Sequence, residues 1–198
     1  MHHRKSVRYL AFTFGIIMIA WLILTIYVEL AGPPMVWTEG NPHSDQTALI
    51  VFDPDPFNNL DEEVCLSFAR ALAESNFHVT IMTASKAQKS SGISYDLYVY
   101  CANTYNWLPD RAILQFVQLN RKAHKNKPVV AITLGAGSTG HSQAYFEKQI
   151  KTSGGVIQSS HTLWLWRPND ETRPEESNKT IAIGKAYEWG LMAAHERM

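Results

Sequence analysis

Tyr95 to Phe116, YDLYVYCANTYNWLPDRAILQF, decides the fold. Leu97 to Cys101 is rich in β-favouring Tyr and Val and predicts a strand. Pro109 opens a helix, at a position where its missing N–H costs nothing. Ile113, Phe116 and Val117 give that helix a buried face. Between them Ala102 to Leu108 is a loop, with Trp107 inside it. An apolar strand, a short loop and an amphipathic helix form the repeating unit of a parallel α/β sheet.

The same alternation continues on both sides. Downstream, Val129 to Leu134 is a continuous apolar strand. Gly140 to Ser153 is a helix with Phe146 and Ile150 inward and Gly154 as its stop. Val156 to Trp166 contains a last strand, and Asn178 to Arg197 a closing helix with Ile183, Tyr187, Leu191 and Ala194 on one side. Upstream, Thr47 to Phe52 is a buried strand ending at Asp53. Asp61 to Ser75 is a helix with Val64, Phe68 and Leu72 on its stripe. Its opening Asp61, Glu62 and Glu63 suit the positive end of the helix dipole. His78 to Met82 is a further strand, and Ala84 to Gly92 reads as a loop. Near-continuous apolar strands separated by helices predict five parallel strands covered on both faces.

Composition narrows the function classes. The chain has 198 residues, with 18 basic and 18 acidic side chains that cancel. No basic field points to nucleic acid. Cys65 and Cys101 are too few for a disulfide framework or a zinc set and read as two separate buried thiols. His43, His78, His124, His141, His161 and His195 show no metal-ligand spacing, and no Ser-His-Asp set can be assembled. Asn178-Lys179-Thr180 fits a glycosylation acceptor pattern, which often occurs by chance. No catalytic residue and no metal ligand is nominated.

Leu10 to Val28, LAFTFGIIMIAWLILTIYV, is nineteen residues without a charge. At about 1.5 Å per residue it nearly spans a hydrocarbon layer of roughly 30 Å. A cleavable signal would have a shorter apolar region and a small-residue exit. Val28-Glu29-Leu30-Ala31-Gly32 is a poor match, so the segment is expected to be an uncleaved anchor. Arg4, Lys5 and Arg8 precede it, and no Lys or Arg follows until Arg70. The positive-inside rule then puts the N-terminus in the cytoplasm and the domain outside it. Residues 1–30 are the tip and transmembrane helix, 31–46 an irregular Pro- and Gly-rich linker, and 47–198 the domain. The lipid bilayer is the first expected partner.

Ligands of such a sheet bind beyond the carboxyl ends of its strands. Three segments lie there: Asp53 to Leu60, Ala102 to Leu108 and Gly135 to His141. Here the sequence resembles the flavodoxin and NAD(P)H:FMN-reductase-like family. Tyr95 to Phe116 and Lys127 to Ile157 (KPVVAITLGAGSTGHSQAYFEKQIKTSGGVI) carry the resemblance, which covers Thr47 to about Ala194. It implies a three-layer flavodoxin-like fold with strand order 2-1-3-4-5. It implies FMN over the ends of strands one, three and four; together with the anchor this gives the first expectation, a membrane-tethered flavoprotein that passes electrons to or from a membrane redox protein. On that resemblance Thr104, Tyr105, Asn106 and Trp107 flank the flavin ring. Gly135, Ala136, Gly137 and Ser138 approach its other edge.

The first loop departs from the family. Where the family has a Ser/Thr- and Gly-rich phosphate loop, this chain has Asp53-Pro54-Asp55-Pro56-Phe57-Asn58-Asn59-Leu60. Two prolines remove donors, and the carboxylates oppose a phosphate. Asn58 and Asn59 can donate but do not replace the loop. Two alternatives follow. One is a flavodoxin-like interaction module that has lost FMN binding. The other is a metal-dependent hydrolase using Asp53 and Asp55, whose D-x-D spacing resembles that of haloacid-dehalogenase-like phosphatases. That family's further acidic pair is missing, and the plainer reading of Asp-Pro-Asp-Pro is a rigid turn.

Overall fold

The computed structural model describes residues 2–90 and 92–196. Arg197, expected in the closing helix, and the side chains of Arg4 and Lys5 lie outside the described residues. In chain order the elements are α1 (His2–Val28), β1 (Val36–Glu39), β2 (Gln46–Phe52), α2 (Leu60–Glu74), β3 (Phe77–Thr83) and a short α3 (Ala84–Ala87) running into a 3-10 turn. Then follow β4 (Leu97–Tyr105), β5 (Leu108–Pro109), α4 (Arg111–Leu119), β6 (Pro128–Gly135), α5 (Gly140–Thr152), β7 (Val156–Trp164) and α6 (Asn178–His195).

The sheet runs β1-β3-β2-β4-β6-β7, with β5 paired to β4. Its five central strands, β3, β2, β4, β6 and β7, are parallel. They stand in the expected 2-1-3-4-5 order, and two further strands bring the sheet to seven. Successive residues of β2 feed opposite faces, as the two-residue period of a strand requires. Ile50 and Phe52 pack with Val64, Phe68 and Leu72 under α2 and α6. Leu49 and Val51 pack with Ile113, Phe116 and Phe146 under α4 and α5. A run apolar at every position is thus two half-cores read as one string. Cys65 and Cys101 are free, buried thiols in the first of these cores.

Two expectations about the segments flanking the sheet need correction. Residues 31–46 are not an irregular linker throughout. Val36–Glu39 pairs antiparallel with β3, from Val36 against Met82 to Glu39 against Val79. Trp37 stacks on Phe52, with ring centroids 6.0 Å apart. Gly32 N–H donates to Asp53 Oδ1 (3.0 Å), and Met35 N–H to Thr83 Oγ1 (2.9 Å). The segment is strapped across the carboxyl ends of β2 and β3 before it enters the sheet. An edge strand needs few buried residues, and the flanking prolines and glycines hide it among punctuation.

Pro109, in turn, does not open the helix. It closes a hairpin: Thr104 pairs with Pro109 and Tyr105 with Leu108. Asn106 and Trp107 turn the chain at φ values of 49° and 65°. Asp110 is the N-cap of α4 and accepts Ile113 N–H at 2.8 Å. β4 therefore carries Thr104 and Tyr105, which the sequence placed in a loop.

The Arg8–Val28 portion of α1 contains an 18-residue stretch with a mean hydropathy of 2.3 and is long and apolar enough to cross a membrane. Its last turns touch the carboxyl end of the sheet. Tyr27 lies 6.0 Å from Phe57 between ring centroids. Asn106 Nδ2 donates to Thr25 Oγ1 (3.2 Å), and Arg111 N–H to Glu29 Oε2 (3.0 Å).

Candidate functional site

A cleft of about 250 Å³ opens at the carboxyl ends of β2, β4 and β6. Five nominated residues line it: Asn58, Thr104, Tyr105, Gly135 and Ala136. Asn106 and Trp107 sit apart at the hairpin tip, with Asn106 turned to α1. Gly137 and Ser138 follow on the loop into α5 and do not line the cleft. Asn59 is spent elsewhere: its Nδ2 donates to Glu63 (2.7 Å) and its Oδ1 accepts from Lys179 (2.9 Å). Gly135 is required where it stands, because a Cβ would come within 2.6 Å of Thr139 Cγ2 and 3.1 Å of Thr104 Cβ. The Thr104 hydroxyl donates to Ser142 Oγ (3.0 Å).

The first loop is held by its own carboxylates. Asp55 Oδ1 accepts the backbone N–H groups of Phe57 (2.7 Å) and Asn58 (3.1 Å). Asp61 Oδ2 accepts Asp55 N–H (2.7 Å) and Asn103 Nδ2 (2.9 Å). Asn58 Oδ1 accepts Leu60 N–H (3.0 Å). Tyr105 completes the set by donating its hydroxyl to Asp55 Oδ2 (2.8 Å). Behind the loop, Asp110 Oδ2 accepts Asn103 N–H (2.9 Å). Asn103 is the hub, since its Nδ2 also reaches the Asp53 carbonyl (3.0 Å).

This arrangement crowds acids in a dry place. Burial pushes the Asp53 carboxyl up to about 6, with the Gly32 N–H opposing and the Asp61 and Glu29 charges adding to the rise. Burial likewise raises Asp61 against the hydrogen bond from Asn103. Asp110 is raised well above the carboxylate range by burial and then by the Asp53 charge. Tyr105 is raised by burial and by its bond to Asp55, so it stays a phenol. Desolvation disfavours each charged form, and the neighbouring carboxylates compound it.

No protein-family model and no curated protein matches the chain. Solved structures do. A flavodoxin from the domain Archaea superposes with a TM-score of 0.56 at 8% identity, covering 76% of this chain and 98% of its own. Megasphaera elsdenii flavodoxin in its two-electron reduced state gives 0.52 at 13% identity, covering 71% and 97%. The fold is flavodoxin-like. The flavodiiron core of Flv1 from Synechocystis sp. PCC6803 gives 0.56 at 12% identity over 81% of this chain, which spans 38% of that protein. At these identities the likeness is one of fold.

Against this flavodoxin-like frame, the residues fit the two ends of FMN differently. On the ring side, Tyr105 and Trp166 offer aromatic surface and Gly135 lets the backbone come close. The phosphate side does not fit. The N–H groups of Asp55, Phe57 and Asn58, which would have to cradle a phosphate, already serve Asp55 and Asp61. The cleft is also smaller than the roughly 300–1,000 Å³ of ordinary ligand pockets. Nor are Asp53 and Asp55 poised as a nucleophile and acid: one accepts from Gly32, the other from Tyr105 and its own loop. Among the described residues no group of three or more His, Cys, Asp or Glu could hold a metal.

Four residues of this end carry no site signal in the sequence. Asn103 and Phe57 lie inside the loop segments 102–108 and 53–60 and Asp110 just beyond one of them, and only tertiary contact reveals their roles. Trp166 follows β7, with its N–H bonded to Ala136 O (3.0 Å). Asn178, the asparagine of the acceptor triplet, is committed inside the fold. Its Nδ2 donates to the carbonyls of Trp164 (2.6 Å), Leu165 (3.1 Å) and Arg167 (2.8 Å).

Proposed function

We propose that this chain is a membrane-tethered, flavodoxin-like interaction module whose phosphate cradle has been replaced by an internal carboxylate network. One observation carries this reading: the loop amides at the phosphate position are consumed by Asp55 and Asp61. A phosphate entering there would have to displace both carboxylates and sit among their charges. At about 5 Å and an effective dielectric near 20, each carboxylate opposes each phosphate charge by about 3 kcal/mol. The all-round apolar α1 supports the tether, since a helix of that kind is stable only when buried or in lipid. By the positive-inside rule the domain lies on the outer side.

A second reading is favoured by the ring-side geometry alone. Tyr105, Gly135, Ala136 and Trp166 keep a groove in which a flavin ring could stack. The domain would then pass electrons to or from a membrane redox protein, as a flavoprotein whose phosphate is held in some other way.

Titrating full-length protein into FMN and, separately, riboflavin distinguishes the two. The interaction module quenches neither fluorescence at micromolar protein. Micromolar FMN binding with riboflavin much weaker would mean that a working phosphate site exists and would overturn the proposal. Equal binding of both would establish the ring-side groove without the cradle and favour the second reading.

A further inference from the structure

Glu29 to Gly32 fix how far the sheet can stand from α1. Val28 ends the helix, and Gly32 N–H is already bonded to the Asp53 carboxylate at the carboxyl end of β2. Four residues at no more than about 3.5 Å each span about 14 Å. The expected linker would have let the domain tumble; the strap to Asp53 and Thr83 removes that slack. The end of the sheet nearest α1 is its carboxyl end, where Tyr27, Thr25 and the following Glu29 make their contacts.

That end is also where large apolar side chains stand out. Phe57 is 66%, Trp107 65%, Leu108 42% and Trp166 81% exposed. Phe57 and Trp166 come from the loops after β2 and β7, and Trp107 and Leu108 from the β4–β5 hairpin, so no single local motif accounts for them. Beside them are Arg111 at the start of α4 and Arg167, whose guanidinium lies 4.7 Å over the Trp164 ring. Exposed Trp flanked by Arg is the composition of a membrane–water interface.

Depth agrees as well. The hairpin tip reaches Thr25, and a groove of about 260 Å³ joins it and Phe57 to Trp21. Trp21 lies seven residues before Val28, about 10 Å along a helix axis. Interfacial apolar groups bury about 5–10 Å into the headgroup and acyl boundary. Loops packed beside the last two turns of a spanning helix therefore lie at interfacial depth.

We infer that the carboxyl end of the sheet is seated on the bilayer that holds α1, with Phe57, Trp107, Leu108 and Trp166 inserted at its interface; this rests on reading Arg8–Val28 as a membrane span. The occupant of the exposed apolar face is lipid. The end of the fold that holds the cofactor in the resemblance is then closed to soluble partners, and the module presents its amino end and helix faces to the aqueous side.

The test uses the full chain in nanodiscs of phosphatidylcholine with phosphatidylglycerol. Single spin labels are placed by Trp107→Cys, Trp166→Cys, Lys125→Cys and Ile16→Cys, the buried Cys65 and Cys101 being left in place. Collision with oxygen, which concentrates in lipid, is compared with collision with an aqueous nickel chelate. At 107 and 166 the oxygen-to-nickel ratio is expected to exceed that at 125 several-fold and to approach that at 16. If 16 reads lipid while 107 and 166 read as aqueous as 125, the domain stands off the bilayer and the inference falls alone. If 107 and 166 are shielded from both reagents, a protein covers the face and the inference again falls. If 16 itself reads aqueous, the tether falls first and takes the inference with it.

Discussion

The two ends of the sheet both bury polar side chains, and they do so in opposite ways. At the amino end a neutral relay runs through the core. Asn120 Nδ2 donates to Tyr100 Oη (3.3 Å), leaving the phenol proton for His124 Nδ1 (2.8 Å). His124 Nε2 then serves Ser153 Oγ (2.9 Å), which donates to Ile150 O (2.8 Å). Each hydroxyl and ring nitrogen has a partner, and burial lowers the His124 pKa, which favours the uncharged ring this relay needs. The carboxyl end instead buries Asp53, Asp61 and Asp110 close together. Around the first end the exposed residues include Arg121, Lys122 and Lys125; around the second they include Phe57, Trp107 and Trp166. A satisfied neutral network stabilises, whereas crowded acids oppose folding unless protonated. The amino end is built for stability, and the carboxyl end carries an electrostatic cost.

Breaking the amino-end relay is expected to have the largest effect. His124→Ala removes a fully buried ring, leaves a cavity beside Tyr98 and Tyr100, leaves the Tyr100 O–H without its acceptor and takes away the donor to Ser153 Oγ. Cavity and unsatisfied donor together should cost about 3–4 kcal/mol. Denaturant unfolding of the full chain in detergent, followed by near-ultraviolet circular dichroism, reads this as a lowered midpoint. An unchanged midpoint would mean that the amino-end network contributes nothing and the contrast is empty.

The contrast also explains what was legible in the sequence. Thr47 to Phe52 and Val129 to Leu134 were readable as strands because both their faces are buried, which makes them apolar throughout. Val36–Glu39 was not, because an edge strand with mostly exposed side chains leaves no such run. The β4–β5 hairpin was hidden by its turn: Asn-Gly announces a two-residue turn, while Asn106-Trp107 does not. Asp61 was correctly placed at a helix start, yet its role as acceptor for the amide of Asp55 depends on how the loop folds back. The mismatch of the first loop with a phosphate was visible in its prolines and acids. That carboxylates take up the loop's own amides was not, because a side chain that bonds its own loop leaves no periodic trace.

At the carboxyl end, Asp53→Asn should act in the opposite direction. Asp53 titrates near 6 in the folded chain against 3.8 in the unfolded one. Between those values the folded state binds more protons, so this group's contribution falls as pH rises and the cost is complete above about pH 6. Two pKa units correspond to a ceiling of about 3 kcal/mol. Asn keeps an acceptor for Gly32 N–H but buries an amide, so a net gain of about 1–2 kcal/mol is expected at pH 7.5. The gain should shrink to nothing near pH 4. Measuring the difference between variant and parent across pH cancels the other titrating groups that Asp53 does not touch. A difference that is flat with pH, or a loss at pH 7.5, would mean that the carboxylate is held charged and stabilising, as at an ordinary cap.

The smallest effect sharpens the contrast at the hairpin tip. Asn106 tolerates a positive φ, but Trp107 at 65° occupies the position of a type I′ turn that glycine normally fills. An L-residue in that conformation costs about 1–2 kcal/mol. Asparagine at 106 is therefore an ordinary choice and tryptophan at 107 is not. Trp107→Gly relieves the cost but widens the freedom of the unfolded chain, so the net stabilisation should be about 0.5–1 kcal/mol. The same denaturant midpoint measures it, with the Asp110 N–H, which donates to Asn103 O where the hairpin closes, checked by amide exchange. Asn106→Gly is the comparison: asparagine already tolerates this φ and its side chain bonds Thr25 Oγ1, so no comparable stabilisation is expected there. If Trp107→Gly instead lowers the midpoint, the indole makes contacts that outweigh its backbone strain. That result would place the tip among the stabilising parts of the fold and remove the strained turn from the costs counted at the carboxyl end.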